Sequence, residues 1–131
     1  MEDDLILKDV KEEDWQLLLK LADYPVSQSQ AKLFAMRFAF DGNRHMLVLW
    51  QAEVIGMVEL HGSEVGYRIK KAYRCKGFAT RALSLFLKIC GKDEVKAYCD
   101  NRNVASCRVL MKNGFDKVKE EEGICQYVWQ K

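Results

Sequence analysis

A single proline, Pro25, and no tract rich in serine and glycine interrupt this sequence, so neither linkers nor disordered segments are expected. No apolar run approaches the ~18 residues that cross a bilayer. No basic segment followed by an apolar core opens the chain, and the expectation is a soluble, cytoplasmic protein without a membrane partner. Cysteine is present without a pattern. Cys75, Cys90, Cys99, Cys107 and Cys125 are odd in number and no two stand at C-x-x-C spacing. A disulfide framework and a zinc site are therefore not expected, and no metal is called for. An excess of one charge is also missing. The 21 basic and 19 acidic residues leave a net charge of +2, which gives no reason to expect nucleic acid as a partner. The 131 residues suffice for one domain, 1–131, and not for two. No internal repeat is visible, and the oligomeric state, homodimer included, is open.

What is there is unevenly placed. Acidic residues gather toward the ends, at Glu2, Asp3 and Asp4, at Glu12, Glu13 and Asp14, and at Glu120, Glu121 and Glu122. The middle is basic, with Arg68, Lys70, Lys71, Arg74, Lys76 and Arg81 close together. Hydrophobic periodicity predicts a short strand at 5–7, a helix over 11–22 ended by Tyr24-Pro25, and a second helix over 29–40 burying Leu33, Met36, Ala39 and Phe40. Strands follow at 45–50, 53–61 and 64–70 as an antiparallel meander. The clearest helix, 78–90, sets Phe78, Ala82, Leu85, Phe86 and Ile89 on one face, with Gly91 as its stop. A strand at 95–99, a helix at 104–112 capped by Asn103, and a hairpin of 115–119 with 124–129 complete the chain. The class is α/β (α+β): a mixed, mostly antiparallel sheet with helices on both faces. It contains one parallel βαβ unit (64–70, 78–90, 95–99) whose crossover is right-handed.

Two motifs carry chemistry. Arg74-Cys75-Lys76-Gly77-Phe78-Ala79 stands at the mouth of the clearest helix. Glycine there allows close backbone approach to an anion, and the first-turn N–H groups and helix dipole favour negative charge, so the stretch suits a diphosphate. A plain tight turn with solvated cations is the competing account. Downstream come Asn103-Val104-Ala105-Ser106 and Lys112-Asn113-Gly114-Phe115, which alone would be no more than a capped helix. In this order and on these elements the two motifs become specific together.

With the strand Glu64-Val65-Gly66-Tyr67-Arg68-Ile69, they make the chain resemble the GNAT superfamily of acyl-CoA-dependent N-acetyltransferases, most of all the branch that acetylates ribosomal-protein N-termini. The resemblance covers about 45–129. Residues 1–44 agree in element order and would form the acceptor-side segment, leaving 45–131 as the acyl-CoA-binding core. It implies acetyl-CoA as co-substrate, its diphosphate held by the backbone of Arg74, Cys75, Lys76, Gly77, Phe78, Ala79 and Thr80. The strand Tyr67, Arg68 and Ile69 would pair with the pantetheine amides, in a crevice where the parallel strands part at their C-terminal ends. Asn103 would bond the cofactor arm, and Arg74, Lys76 or Arg108 would either meet phosphates or remain solvated.

The implied reaction is direct attack of a neutral amine on the thioester. Glu64 and Glu59 are the candidate bases, acting through water, unless they are solvated strand carboxylates. Many family members place a tyrosine seven residues after the asparagine cap to protonate the leaving thiolate. Here Leu110 holds that place. Ser106 is the donor that the similar branch suggests, with local helix bonding as its alternative, and Tyr98 or Tyr127 as substitutes. His61 is expected at the surface. An acyl-enzyme on Cys107 or Cys99 is the least supported route, because neither shows a histidine partner. Two other functions stay open: a non-catalytic acyl-CoA sensor, and an unrelated nucleotide-binding domain. The acceptor amine is not legible.

Overall fold

The computed structural model describes residues 4–23 and 25–131. Tyr24, expected to help end the first helix, and Glu2 and Asp3 of the acidic N-terminal group lie outside the described residues. Seven strands form one sheet in the order β1-β2-β3-β4-β5-β7-β6. They are β1 Leu5–Asp9, β2 Arg44–Trp50, β3 Glu53–His61, β4 Glu64–Ile69, β5 Glu94–Asp100, β6 Asp116–Glu121 and β7 Ile124–Gln130. The helices are α1 Trp15–Leu21, preceded by a 3-10 turn at Glu12–Asp14, then α2 Gln28–Phe40, α3 Phe78–Ile89 and α4 Val104–Lys112. Every predicted element is present, in the predicted order. All strand pairs are antiparallel except β4 with β5.

The sheet separates two apolar layers. On one face Met46, Val48, Ile55, Val58, Val65 and Ile69 pack with Phe78, Ala82, Leu83 and Phe86 of α3 and with Leu110 of α4. On the other, Leu47, Leu49, Val54 and Met57 pack with Leu18 and Leu21 of α1 and Ala31 and Ala35 of α2. Strand alternation assigns the residues between. Val65, Tyr67 and Ile69 share the α3/α4 side. Gly66 and Arg68 share the α1/α2 side with Met57 and Glu59, their neighbours in register.

The expected face of α2 is wrong. Ser27 caps this helix, its hydroxyl accepting from the Gln30 N–H while Gln30 Oε1 accepts from the Ser27 N–H. It then turns Ala31 and Ala35, both fully buried, toward the sheet. Leu33, Met36 and Phe40 are exposed, Phe40 by 73%. Bulk on the sheet side comes from Leu47, Leu49 and Met57, so small residues on the helix complete the layer and large ones do not fit beneath it. A smaller correction falls on α3, where Leu83 is buried and Ile89 is 48% exposed at the fraying last turn.

Gly56 decides how β4 runs. A Cβ on it would stand 2.4 Å from the Arg68 carbonyl oxygen and 2.7 Å from Ile69 Cδ1. The C-terminal half of β4 thus lies hard against β3, next to the register shift between Val48 and Leu49. β5 pairs with β4 at one position only, Glu64 with Lys96, beside the Lys96 N–H bond to the Ser63 carbonyl. Beyond that point the parallel strands part, as expected for this βαβ unit. Replacing Gly56 by valine will force β4 off β3 and lower unfolding free energy by ~1–3 kcal/mol, measured by urea denaturation. An unchanged midpoint would show that β4 does not depend on this approach.

Candidate active site

The helix mouth is built as the sequence implied. Cys75 takes φ 62 and Gly77 φ 83, so the chain turns twice through left-handed conformations before α3 begins. The first helical bond runs from the Arg81 N–H to the Gly77 carbonyl. Among the described residues, none accepts a hydrogen bond from the backbone N–H groups of 75–80. No atom stands within 4 Å of where a Gly77 Cβ would lie. The result is an open cluster of donors at a helix N-terminus, with space in front of it.

That cluster is held in place from behind. Phe78, buried at the first helical position, packs its ring 4.9 Å from Trp50 and 6.2 Å from Tyr73. Arg74 is turned away from the donors. Its Nε donates to the Ile69 carbonyl at 2.9 Å, and a terminal nitrogen lies 3.7 Å from Asp23. Asp23 also accepts from the Lys71 N–H, and Lys70 Nζ donates to the Lys20 carbonyl. These contacts tie the loop between β4 and α3 to the end of α1. Arg74 therefore acts first as a loop clamp.

The second motif bounds the other side of the crevice. Asp100 accepts from the Arg102 side chain and backbone N–H, which hold its carboxyl down at about 2. This fixes the turn in which the Asn103 N–H bonds the Asp100 carbonyl. Asn103 Oδ1 then caps α4 through the Ser106 N–H at 3.1 Å. At the far end of α4, Asn113 Nδ2 donates to the Thr80 carbonyl at 3.1 Å and to the Val109 carbonyl. Gly114 takes φ 86 and Phe115 is buried. The Lys112–Phe115 segment of the motif is thus a brace that binds α4 to the first turn of α3.

Between these two sides a phenol crosses the gap. Tyr67 on β4 places its hydroxyl 3.0 Å from Ser106 Oγ and donates to the Ser106 carbonyl at 3.1 Å. Burial raises the Tyr67 pKa, with the Ser106 bond opposing, so the phenol keeps its proton. Leu110 is core. Tyr67 was expected here only for its backbone, and its side-chain role is what the sequence did not show.

The carboxylates part company. Glu59 lines two adjoining cavities. One, about 300 Å³, is bounded by Met57, Glu59, Gly66, Tyr67 and Arg68. The other, about 220 Å³, lies under α1 and α2, with Leu18, Leu21, Phe34 and Phe38 facing Glu59 and Arg68. Glu64 lies exposed at the end of β4 that pairs with β5, and lines neither cavity. His61, partly exposed as expected, sits 3.3 Å from Glu59. Buried His45 approaches the other oxygen of Glu59 at 3.4 Å, a neighbour the sequence analysis missed. Strand register could have supplied it, because His45 and Glu59 are direct cross-strand partners.

The thiols are unsuited to nucleophilic work. Cys99 and Cys107 are buried with sulfurs 2.7 Å apart. Burial, then contact with Cys107, pushes the Cys99 thiol up to about 12, so it does not ionise near neutrality. Tyr127 is buried and its pKa raised by that burial, and Tyr98 is exposed.

Comparison with known proteins agrees with this geometry. No curated relative matches the chain in sequence. Among solved structures, a ribosomal-protein-S5-alanine acetyltransferase from Vibrio fischeri superposes with a TM-score of 0.77 at 17% identity, covering 99% of this chain and 94% of that one. Campylobacter jejuni N-acetyltransferase PseH gives 0.75 at 16%, covering 96% and 97%. A Vibrio cholerae spermidine N-acetyltransferase, solved with CoA and spermine, gives 0.75 at 15%, covering 96% and 95%. At such identities the likeness is one of fold. The acetyltransferase (GNAT) domain profile matches residues 4–116, which sets aside an unrelated nucleotide-binding domain, and the chain belongs to the GNAT acetyltransferase family.

Proposed function

We propose that this protein transfers the acetyl group of acetyl-CoA to a primary amine by direct attack. The observation that carries the reading is the continuous course from the parted edge of β4 to the open donor cluster at the mouth of α3. A molecule that ends in a diphosphate and carries amides on an extended arm matches both parts. The backbone of 75–80 would hold the diphosphate and the edge at 67–69 the pantetheine. The Asn103 amide nitrogen, left over from capping, would reach the arm. Lys76 and Arg108 would add charge at the phosphates.

The amine must lose a proton to attack. An α-amine, with a pKa near ~8, needs less help than a lysine near ~10.4. Glu59 is the base favoured by position, since it alone of the two candidates borders both cavities. On the opposite side of the sheet plane, the Tyr67–Ser106 hydroxyl pair is placed to donate to the departing thiolate. The cavity under α1 and α2 is small and apolar, with one carboxylate and one guanidinium. That lining favours an amine borne on an apolar group over a polyamine, which would call for several carboxylates. Leu110, standing where many relatives have tyrosine, is the one observation on the side of a CoA-binding module without turnover.

Calorimetry with CoA, followed by mass detection of acetylated amines from a panel of short peptides and small amines, separates the two readings. Absence of CoA binding would end both, and binding without product on any amine would leave only the sensor. Glu59→Gln is expected to lower kcat by ~10²-fold or more while CoA affinity is kept. Tyr67→Phe should lower kcat as well, and Ser106→Ala less, because the phenol remains. A kcat unmoved by Glu59→Gln would remove this residue from the chemistry. Gly77→Ala brings a Cβ into the open space at φ 83 and should weaken CoA binding roughly tenfold, equivalent to ~1–2 kcal/mol of strain and steric loss.

A further inference from the structure

We propose that His45, Glu59 and His61 form a site for a divalent transition metal of the zinc type, with Asp41 as its outer carboxylate. One ligand atom from each of the three residues lies within 4.8 Å of the others. Zinc bonds of ~2.0–2.1 Å at tetrahedral angles set neighbouring ligand atoms ~3.3 Å apart. The Glu59 carboxylate already stands at about that distance from both rings, one oxygen to each: His45 Nδ1 to Glu59 Oε1 is 3.4 Å and Glu59 Oε2 to His61 Nε2 is 3.3 Å. Bringing one oxygen between both rings takes a small rotation of the carboxylate, and the half-exposed His61 has room to follow it.

The buried histidine supplies an independent argument. His45 Nε2 lies 2.7 Å from Asp41 Oδ2, which engages that nitrogen and turns Nδ1 toward Glu59. That Nδ1 is buried, makes no hydrogen bond, and stands 3.4 Å from the Glu59 carboxylate. A buried ring nitrogen without a hydrogen-bond partner is uncommon and calls for a group to satisfy it. A carboxylate bonded to one ring nitrogen, with the other nitrogen facing the site, is the arrangement by which proteins orient a metal-binding histidine. Phe38 stacks on the His45 ring at 4.3 Å and shields it, and the His61 side is open for entry. Two imidazoles and a carboxylate fill three positions around zinc and leave the fourth to water. Cysteine spacing gave no sign of such a site, because its ligands come from two strands and no cysteine is among them.

The site shares Glu59 with the proposed reaction, so a bound ion takes up the carboxylate that would accept the proton. Reversible inhibition of acetyl transfer by zinc therefore rests on that reaction being correct, whereas metal uptake does not. The test is titration of the whole protein with Zn(II) by calorimetry and with Co(II) by visible absorption. One equivalent is expected, with a tetrahedral Co(II) band and no thiolate charge-transfer band. His61→Ala should weaken uptake at least ~10-fold, and Asp41→Asn by ~10–100-fold, while Cys75→Ser leaves it unchanged. Circular dichroism confirms that each variant is folded, and His61→Ala, at a half-exposed position, provides the arm least dependent on stability. No uptake by the unaltered protein, uptake indifferent to His61→Ala, or a thiolate band that disappears with Cys75→Ser would each overturn the proposal.

Discussion

The proposed site depends on one strand pairing that stops early. β4 and β5 meet at Glu64 and Lys96 and nowhere further along. A parallel pair that continued would bury the backbone edge of β4 and leave no room for a ligand between the strands. The cause lies on the other side of β4. Gly56 allows the Arg68 carbonyl to come closer to β3 than any side chain would permit, and β4 leans that way. A sheet normally satisfies both edges of an inner strand. This one leaves an edge for something else to satisfy, and the cost is offset by the apolar layers above and below.

The same strand also divides the labour of the site. Its alternation sends Tyr67 toward α4 and sends Gly66 and Arg68 toward α1 and α2. The phenol thus reaches Ser106 on one side, while the carboxylate of Glu59 stands on the other. A carboxylate on one wall and a pair of hydroxyls on the opposite wall would suit the proposed reaction, in which an amine loses a proton and a thiolate gains one. The brace from Asn113 to Thr80 and the clamp from Arg74 to Ile69 and Asp23 keep these walls at a fixed separation from the donor cluster at α3.

What could be read in the sequence was what is local. The Gly77 helix mouth, the Asn103 cap and the βαβ order each depend on residues within a few positions, and the structure has them where they were expected. What was missed is not local. The face of α2 was misjudged because amphipathic counting favours large apolar residues, whereas the sheet beneath already supplies Leu47, Leu49 and Met57 and accepts Ala31 and Ala35. The Tyr67–Ser106 contact spans 39 positions and exists only because β4 parts from β5. Gly56, in mid-strand, carried no turn signal to mark it.

The pairing of His45 with Glu59 shows most clearly how register makes chemistry. Apart from its neighbours each is unremarkable, a histidine near the start of a strand and a carboxylate near the end of the next. Antiparallel register sets them side by side on one face, and strand alternation puts His61, two positions further along β3, on that same face. Asp41, at the end of α2, then reaches His45 from the far side. A carboxylate that faces a buried imidazole on one oxygen and a half-exposed one on the other is not a lone solvated strand carboxylate. Whatever occupies the space between the two rings would decide how far the carboxylate is available to the proposed reaction, since Glu59 also lines both cavities.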